Sequence, residues 1–97
     1  MDGGASIPMK TAKVKIINKR GMHARAAAKL VQLCHQFRST IRLSKEGEEA
    51  DAKSITDILM LAGAQHTELI LSVEGSDEET AMLEIERLIR EKFGEEE

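Results

Sequence analysis

His23 and Arg25, two residues apart, pair a nucleophilic ring with a permanent cation. They follow Gly21, where the backbone is free to turn, and they stand where an apolar helical period opens. Ala27, Leu30, Val31 and Cys34 recur at i, i+3, i+4 and i+7 and so share one helix face. His23 therefore falls at or beside an N-cap, where the first backbone N–H groups lack intrahelical partners. Those groups, with the positive end of the helix dipole, favour an anion. An unprotonated imidazole is a nucleophile, and a phosphoryl group bonded to it would meet waiting donors. Arg25 adds a permanently charged fork suited to phosphate oxygens. The spacing suits a histidine that carries phosphate. It also suits a plain loop histidine beside a solvated arginine.

The other reactive side chains offer less. Ser54 precedes a short apolar helical stretch and is a good N-cap for purely local reasons. Cys34 lies on the apolar face of the first helix and reads as a small core residue, while His35 points elsewhere on that helix. His66 precedes a strand and suits a left-handed turn. Arg20 and Lys29 read as solvated charges. Three histidines without HxH or His-x3-His spacing, and a cysteine far from matching partners, suggest no metal site.

Ninety-seven residues, 41% of them hydrophobic, allow one domain with a modest core. Phe37 and Phe93 are its only aromatics, so Ile, Leu, Val, Met and Ala must fill that core. A formal net charge of −3 argues against a nucleic-acid binder. One cysteine excludes an internal disulfide and fits a reducing compartment. No apolar run approaches the roughly 18 residues of a membrane span. The start lacks the basic-then-apolar order of a signal peptide. A cytoplasmic protein is the simplest reading.

Along the chain, residues 1–8 read as a flexible leader, residues 9–94 as the folded domain and residues 95–97 as a frayed acidic tail. Alternation predicts a strand over residues 13–18 with Val14 and Ile16 inward, and the first helix follows to about Gln36. A second strand covers residues 40–45. Glu46-Gly47 turns it into a poor, charged third strand suited to a sheet edge. A short second helix runs from the Ser54 cap to Gly63, with Asp57 at N3. The clearest strand places Leu69, Leu71 and Val73 on one side. Asp77 or Ser76 caps a last helix striped by Ala81, Met82, Ile85, Leu88 and Ile89. The order β-α-β-β-α-β-α, with one apolar face per strand, predicts an α+β two-layer open-faced sandwich.

Gly-Met-His-Ala-Arg-Ala-Ala at residues 21–27 resembles the active-site stretch of the HPr family, histidine-containing phosphocarriers of bacterial phosphotransferase systems. The family pattern is Gly-Leu-His-x-Arg-Pro-Ala; Met22 replaces its leucine and Ala26 its proline, and Ala-Ala is similar to the nitrogen-related branch. Lys53-Ser54-Ile55 resembles a second family landmark, in which some members carry a regulatory phosphoserine. The resemblance implies a four-stranded antiparallel sheet of order 1-4-2-3 with three helices on one face. It implies that His23 takes phosphate on its δ nitrogen from enzyme I and passes it to an A-type component, with Arg25 stabilising the phosphate. Ser54 becomes a candidate for a dedicated serine kinase, and Met22, Ile55 and Leu59 become the apolar patch that partners grip. Thr56 and Asp57 depart from the usual residues at that patch. The implied protein is a cytoplasmic monomeric carrier rather than an enzyme, without cofactor, metal, nucleic acid or membrane insertion. Two other readings stand beside it: a mainly regulatory HPr-like protein acting through His23 or Ser54, and a ferredoxin-like ligand-sensing module in which His23 is only a loop residue.

Overall fold

Leu69, Leu71 and Val73 alternate with polar neighbours in Glu68–Glu74, and all three are buried. Burying each of the two leucines is worth about 1.5–3 kcal/mol, which fixes the register of this strand against its neighbours. The computed structural model describes residues 9–61 and 63–97; the leader predicted over residues 1–8 lies outside them. In chain order the elements are β1 (Lys10–Lys15), α1 (Ala24–Cys34), β2 (Thr40–Lys45), β3 (Glu48–Asp51), α2 (Ile55–Leu61), β4 (Glu68–Glu74) and α3 (Glu78–Arg90). A 3-10 turn, Lys92–Gly94, follows α3.

The strands form one antiparallel sheet of order β1-β4-β2-β3, with β4 and β2 in the middle. Val14 faces Leu69 across the β1–β4 pair, and Leu71 and Val73 face Leu43 and Ile41 across β4–β2. Those side chains share the face that the helices cover. The core meets them with Ala26, Ala27, Leu30 and Cys34 of α1, Ile58 and Leu61 of α2, and Ala81, Met82, Ile85 and Ile89 of α3. This is the open-faced α+β sandwich, with the expected strand order. β3 is the charged edge strand: Glu48, Glu49 and Asp51 are exposed, and only Ala50 turns inward.

Several boundaries differ from the sequence expectations. β1 begins and ends three residues early, because pairing with β4 sets its span from Lys10 opposite Val73 to Lys15 opposite Glu68. One further link, Ile16 N–H to Thr67 O at 2.9 Å, continues the pairing before Asn18 leaves the sheet. α1 ends at Cys34 rather than Gln36; Gln36 and Phe37 donate to the carbonyls of Leu33 and Cys34, so the last turn tightens to an i−3 pattern. Asp77 occupies the N-cap position of α3 without capping it by its side chain. Its carboxylate instead accepts from the backbone N–H of Arg38 and from both N–H and Oγ of the buried Ser39, fastening the α1–β2 loop to the start of α3. Ser54 does cap α2, accepting from Asp57 N–H at 3.2 Å. The Asp57 carboxylate reaches the N–H of Asp51 rather than closing a capping box on Ser54. His66 is left-handed, with φ 78°.

Candidate phosphate-accepting site

His23 is the N-cap of α1, with extended backbone, and its carbonyl accepts the first helical bond from Ala27 N–H at 2.9 Å. The loop that delivers it is tightly determined. Gly21 is left-handed (φ 69°), and a Cβ there would lie 2.6 Å from the Gly63 carbonyl oxygen. That same oxygen accepts from Met22 N–H at 2.9 Å, while Gly21 N–H donates to Asn18 O at 3.1 Å. The end of α2 and the β1–α1 loop therefore hold each other in place.

The two ring nitrogens of His23 face different surroundings. Nδ1 points into the helix start and accepts from the backbone N–H of Arg25 at 3.3 Å. Nε2 meets the carboxylate of Glu95 in a very short contact, with both side chains mostly shielded from solvent. A carboxylate only accepts, so Nε2 carries the proton and Nδ1 keeps its lone pair. The other Glu95 oxygen accepts from Asn18 Nδ2 at 3.0 Å, and the same nitrogen donates to Gly21 O at 2.8 Å. Burial pushes the Glu95 carboxyl up, but the hydrogen bonds from Asn18 and His23, with the nearby charge of Arg20, leave it below its ordinary value. Arg25 is exposed on the first turn, where no acidic side chain stands. Among the described residues nothing ties up its guanidinium. Nucleophile and helix donors thus meet at the start of α1, with a permanent cation two residues on.

Ile55 and Leu59 are exposed on α2, at 42% and 39%, and Met60 beside them is more exposed still. Met60 escaped sequence reasoning because it follows the same apolar run as the buried Leu61. Met22 is corrected: it is 5% exposed and packs inward with Leu43, Ile58, Leu61 and Leu69, not outward as part of a patch. Its backbone bond to Gly63 draws it down between α2 and the sheet. Ser54 is half-buried, its hydroxyl engaged as a cap. Lys29 is not merely solvated, since its Nζ donates to Phe93 O at 2.7 Å. Cys34 is buried, and desolvation pushes its thiol up to about 12 against the opposing pull of Lys53, with Asp51 adding to the rise. It is an unreactive core residue. His35 binds the Lys53 carbonyl at 2.9 Å.

Glu95 is the site residue that the sequence concealed. An acidic run after Gly94 looks like a frayed end, and no local spacing links Glu95 to His23. Among the described residues no group of three or more His, Cys, Asp and Glu side chains could hold a metal, and no helix is long and apolar enough to cross a membrane.

An open-faced sandwich with a histidine at a helix start and an unpaired arginine beside it is the arrangement expected of a protein that holds phosphate on a side chain. A family model described as the PTS HPr component phosphorylation site matches residues 10–91. The phosphocarrier protein HPr of Cupriavidus necator is 46% identical over 80 residues, covering 82% of this chain and 90% of that protein. The HPr-like protein Crh of Bacillus subtilis is 36% identical over 82% of this chain and 94% of its own length. The crystal structure of HPr-C-His from Thermoanaerobacter tengcongensis superposes with a TM-score of 0.87 at 43% identity, covering 91% of this chain and 99% of that one. The chain belongs to the HPr family of phosphocarriers of the phosphotransferase system, not to the ferredoxin-like sensors.

Proposed function

We propose that this protein accepts a phosphoryl group from enzyme I on His23 and passes it to a downstream A-type component. The observation that carries the proposal is the aim of Nδ1 at the start of α1 while Nε2 is occupied by Glu95. The Nδ1 lone pair gives up its hydrogen bond from Arg25 N–H and attacks phosphorus, the N–P bond forms, and the donor's bond to phosphorus breaks with its electron pair returning to the donor. The phosphate oxygens then lie against backbone N–H groups of the first turn and within reach of the Arg25 guanidinium. Onward transfer reverses the roles. The chain acts as a cytoplasmic carrier that is itself consumed and regenerated, not as an enzyme turning over a free substrate, and its own residues supply all the chemistry needed.

Partners dock beside His23 on the exposed apolar residues of α2, Ile55 and Leu59, with Met60 in place of the buried Met22. Ser54 serves first as the α2 cap; a phosphate placed there would meet the carboxylate of Asp57 one turn on. A reconstituted relay of phosphoenolpyruvate, enzyme I, this chain and an A-type component tests the proposal. Pyruvate release that depends on this chain and vanishes with His23→Ala, the circular dichroism spectrum being unchanged, is the expected result. Undiminished relay through His23→Ala would overturn it.

A further inference from the structure

The side chain of Glu95 reaches His23 across 72 residues of sequence because the backbone before it is bent against its preference. Lys92, Phe93 and Gly94 are all left-handed, with φ of 59°, 56° and 83°, a conformation that L side chains resist. Three separate ties hold the bend. Phe93 is fully buried in the core, Lys29 Nζ grips the Phe93 carbonyl at 2.7 Å, and Asn18 Nδ2 holds one Glu95 oxygen at 3.0 Å. Asn18 is itself fully buried and anchored to Gly21 in the loop that carries His23. A segment tied at three points and strained at two is aimed, not frayed. It also lies beyond residue 91, where the match to the family model ends.

We propose that Glu95, oriented by Asn18, is a positioning residue for phosphoryl transfer, fixing the Nε2–H tautomer of His23 and facing the positive charge that the ring gains when Nδ1 bonds phosphorus. This rests on the reading of His23 as the phosphate carrier. The carboxylate accepts the Nε2 proton on one side of the ring while Arg25 N–H donates to Nδ1 on the other, so both contacts demand the same tautomer. During attack the Nε2 proton stays in place, the Nδ1 lone pair becomes the N–P bond, and the imidazole becomes a cation. A hydrogen bond to a carboxylate strengthens as its donor becomes charged, so Glu95 interacts more strongly with the phosphorylated ring than with the neutral one.

The test combines ring nitrogen NMR of the unphosphorylated protein with steady-state transfer from phosphoenolpyruvate through enzyme I, for the natural chain, Glu95→Ala, Glu95→Gln and Glu96→Ala. The natural chain should show a protonated, hydrogen-bonded Nε2 and an unprotonated Nδ1. Glu95→Ala should lose the hydrogen-bonded Nε2 signature and lower kcat about tenfold with little change in KM, the loss expected for a hydrogen bond to a charged group. Glu95→Gln keeps an acceptor oxygen without the charge, so it should retain the tautomer and recover only part of the rate. Glu96→Ala should behave as the natural chain. A Glu95→Ala protein that matches the natural chain in both ring signals and kcat, while the natural chain takes up phosphate, overturns the role of Glu95 and leaves the carrier reading intact. A natural chain that takes up no phosphate overturns the carrier reading, and the transfer role of Glu95 with it.

Discussion

His23 needs no unusual backbone of its own, because Gly21 turns the chain two residues earlier. A side chain at Gly21 meets two penalties, the left-handed φ and the contact with Gly63 O. Gly21→Ala should therefore destabilise the fold by about 1–3 kcal/mol, seen as a lower midpoint in urea, and should slow transfer by displacing His23. The Arg25 side chain is exposed and makes no hydrogen bond among the described residues, so Arg25→Ala should leave the urea midpoint within about 0.5 kcal/mol of the natural chain while slowing phosphoryl transfer. An unchanged transfer rate would remove Arg25 from the site. At this scale the sequence was informative where chemistry and position coincide locally: glycine, histidine and arginine within five residues describe a helix start that can hold an anion. It was silent on Glu95, whose role depends on a bend made by three left-handed residues, two of them types that seldom adopt it. It misplaced Met22 because a lone methionine beside a glycine looks the same whether it faces solvent or core.

Elements were legible through period. The alternation in β4 and the stripes of α1 and α3 point to the same buried face that the structure shows. Strand order was not legible that way; four strands with one apolar face each admit several arrangements, and only the resemblance implied 1-4-2-3. Cap assignments divided on tertiary context. Ser54 bonds within its own turn, so Ser54→Ala should lower stability by about 1 kcal/mol, measurable by denaturant titration. Asp77 is drawn away by the α1–β2 loop, a partner 38 residues distant that no capping pattern reveals. The hydrogen bonds from Ser39 Oγ and from the backbone N–H of Arg38, with lesser help from Ser39 N–H, hold the Asp77 carboxyl below its ordinary value despite some opposing desolvation. Its ionised form is thus favoured in the folded state. The stability it contributes is complete above the unfolded carboxylate range and is lost as pH falls through the lower folded value. Asp77→Asn should accordingly lower Tm at neutral pH, and the gap to the natural chain should close on acidification below the carboxylate range. A gap that widens there would contradict this assignment.

Across the whole molecule, the core and the site are joined through Phe93. Its ring is fully buried, and its carbonyl receives Lys29 from α1, so the same residue closes the sandwich and sets Glu95 beside His23. Phe93→Ala should cost about 3–5 kcal/mol of stability. The same substitution should lower transfer even at temperatures where the protein stays folded, because the bend that carries Glu95 loses its anchor. We propose a single histidine, His23 at the start of α1, as the phosphate carrier. Intact mass after incubation with phosphoenolpyruvate and enzyme I tests it most directly, for the natural chain and for His23→Ala. One added, acid-labile phosphate on the natural chain and none on the variant is the predicted result. Phosphate on His23→Ala, or none on the natural chain with an enzyme I known to be active, would contradict it.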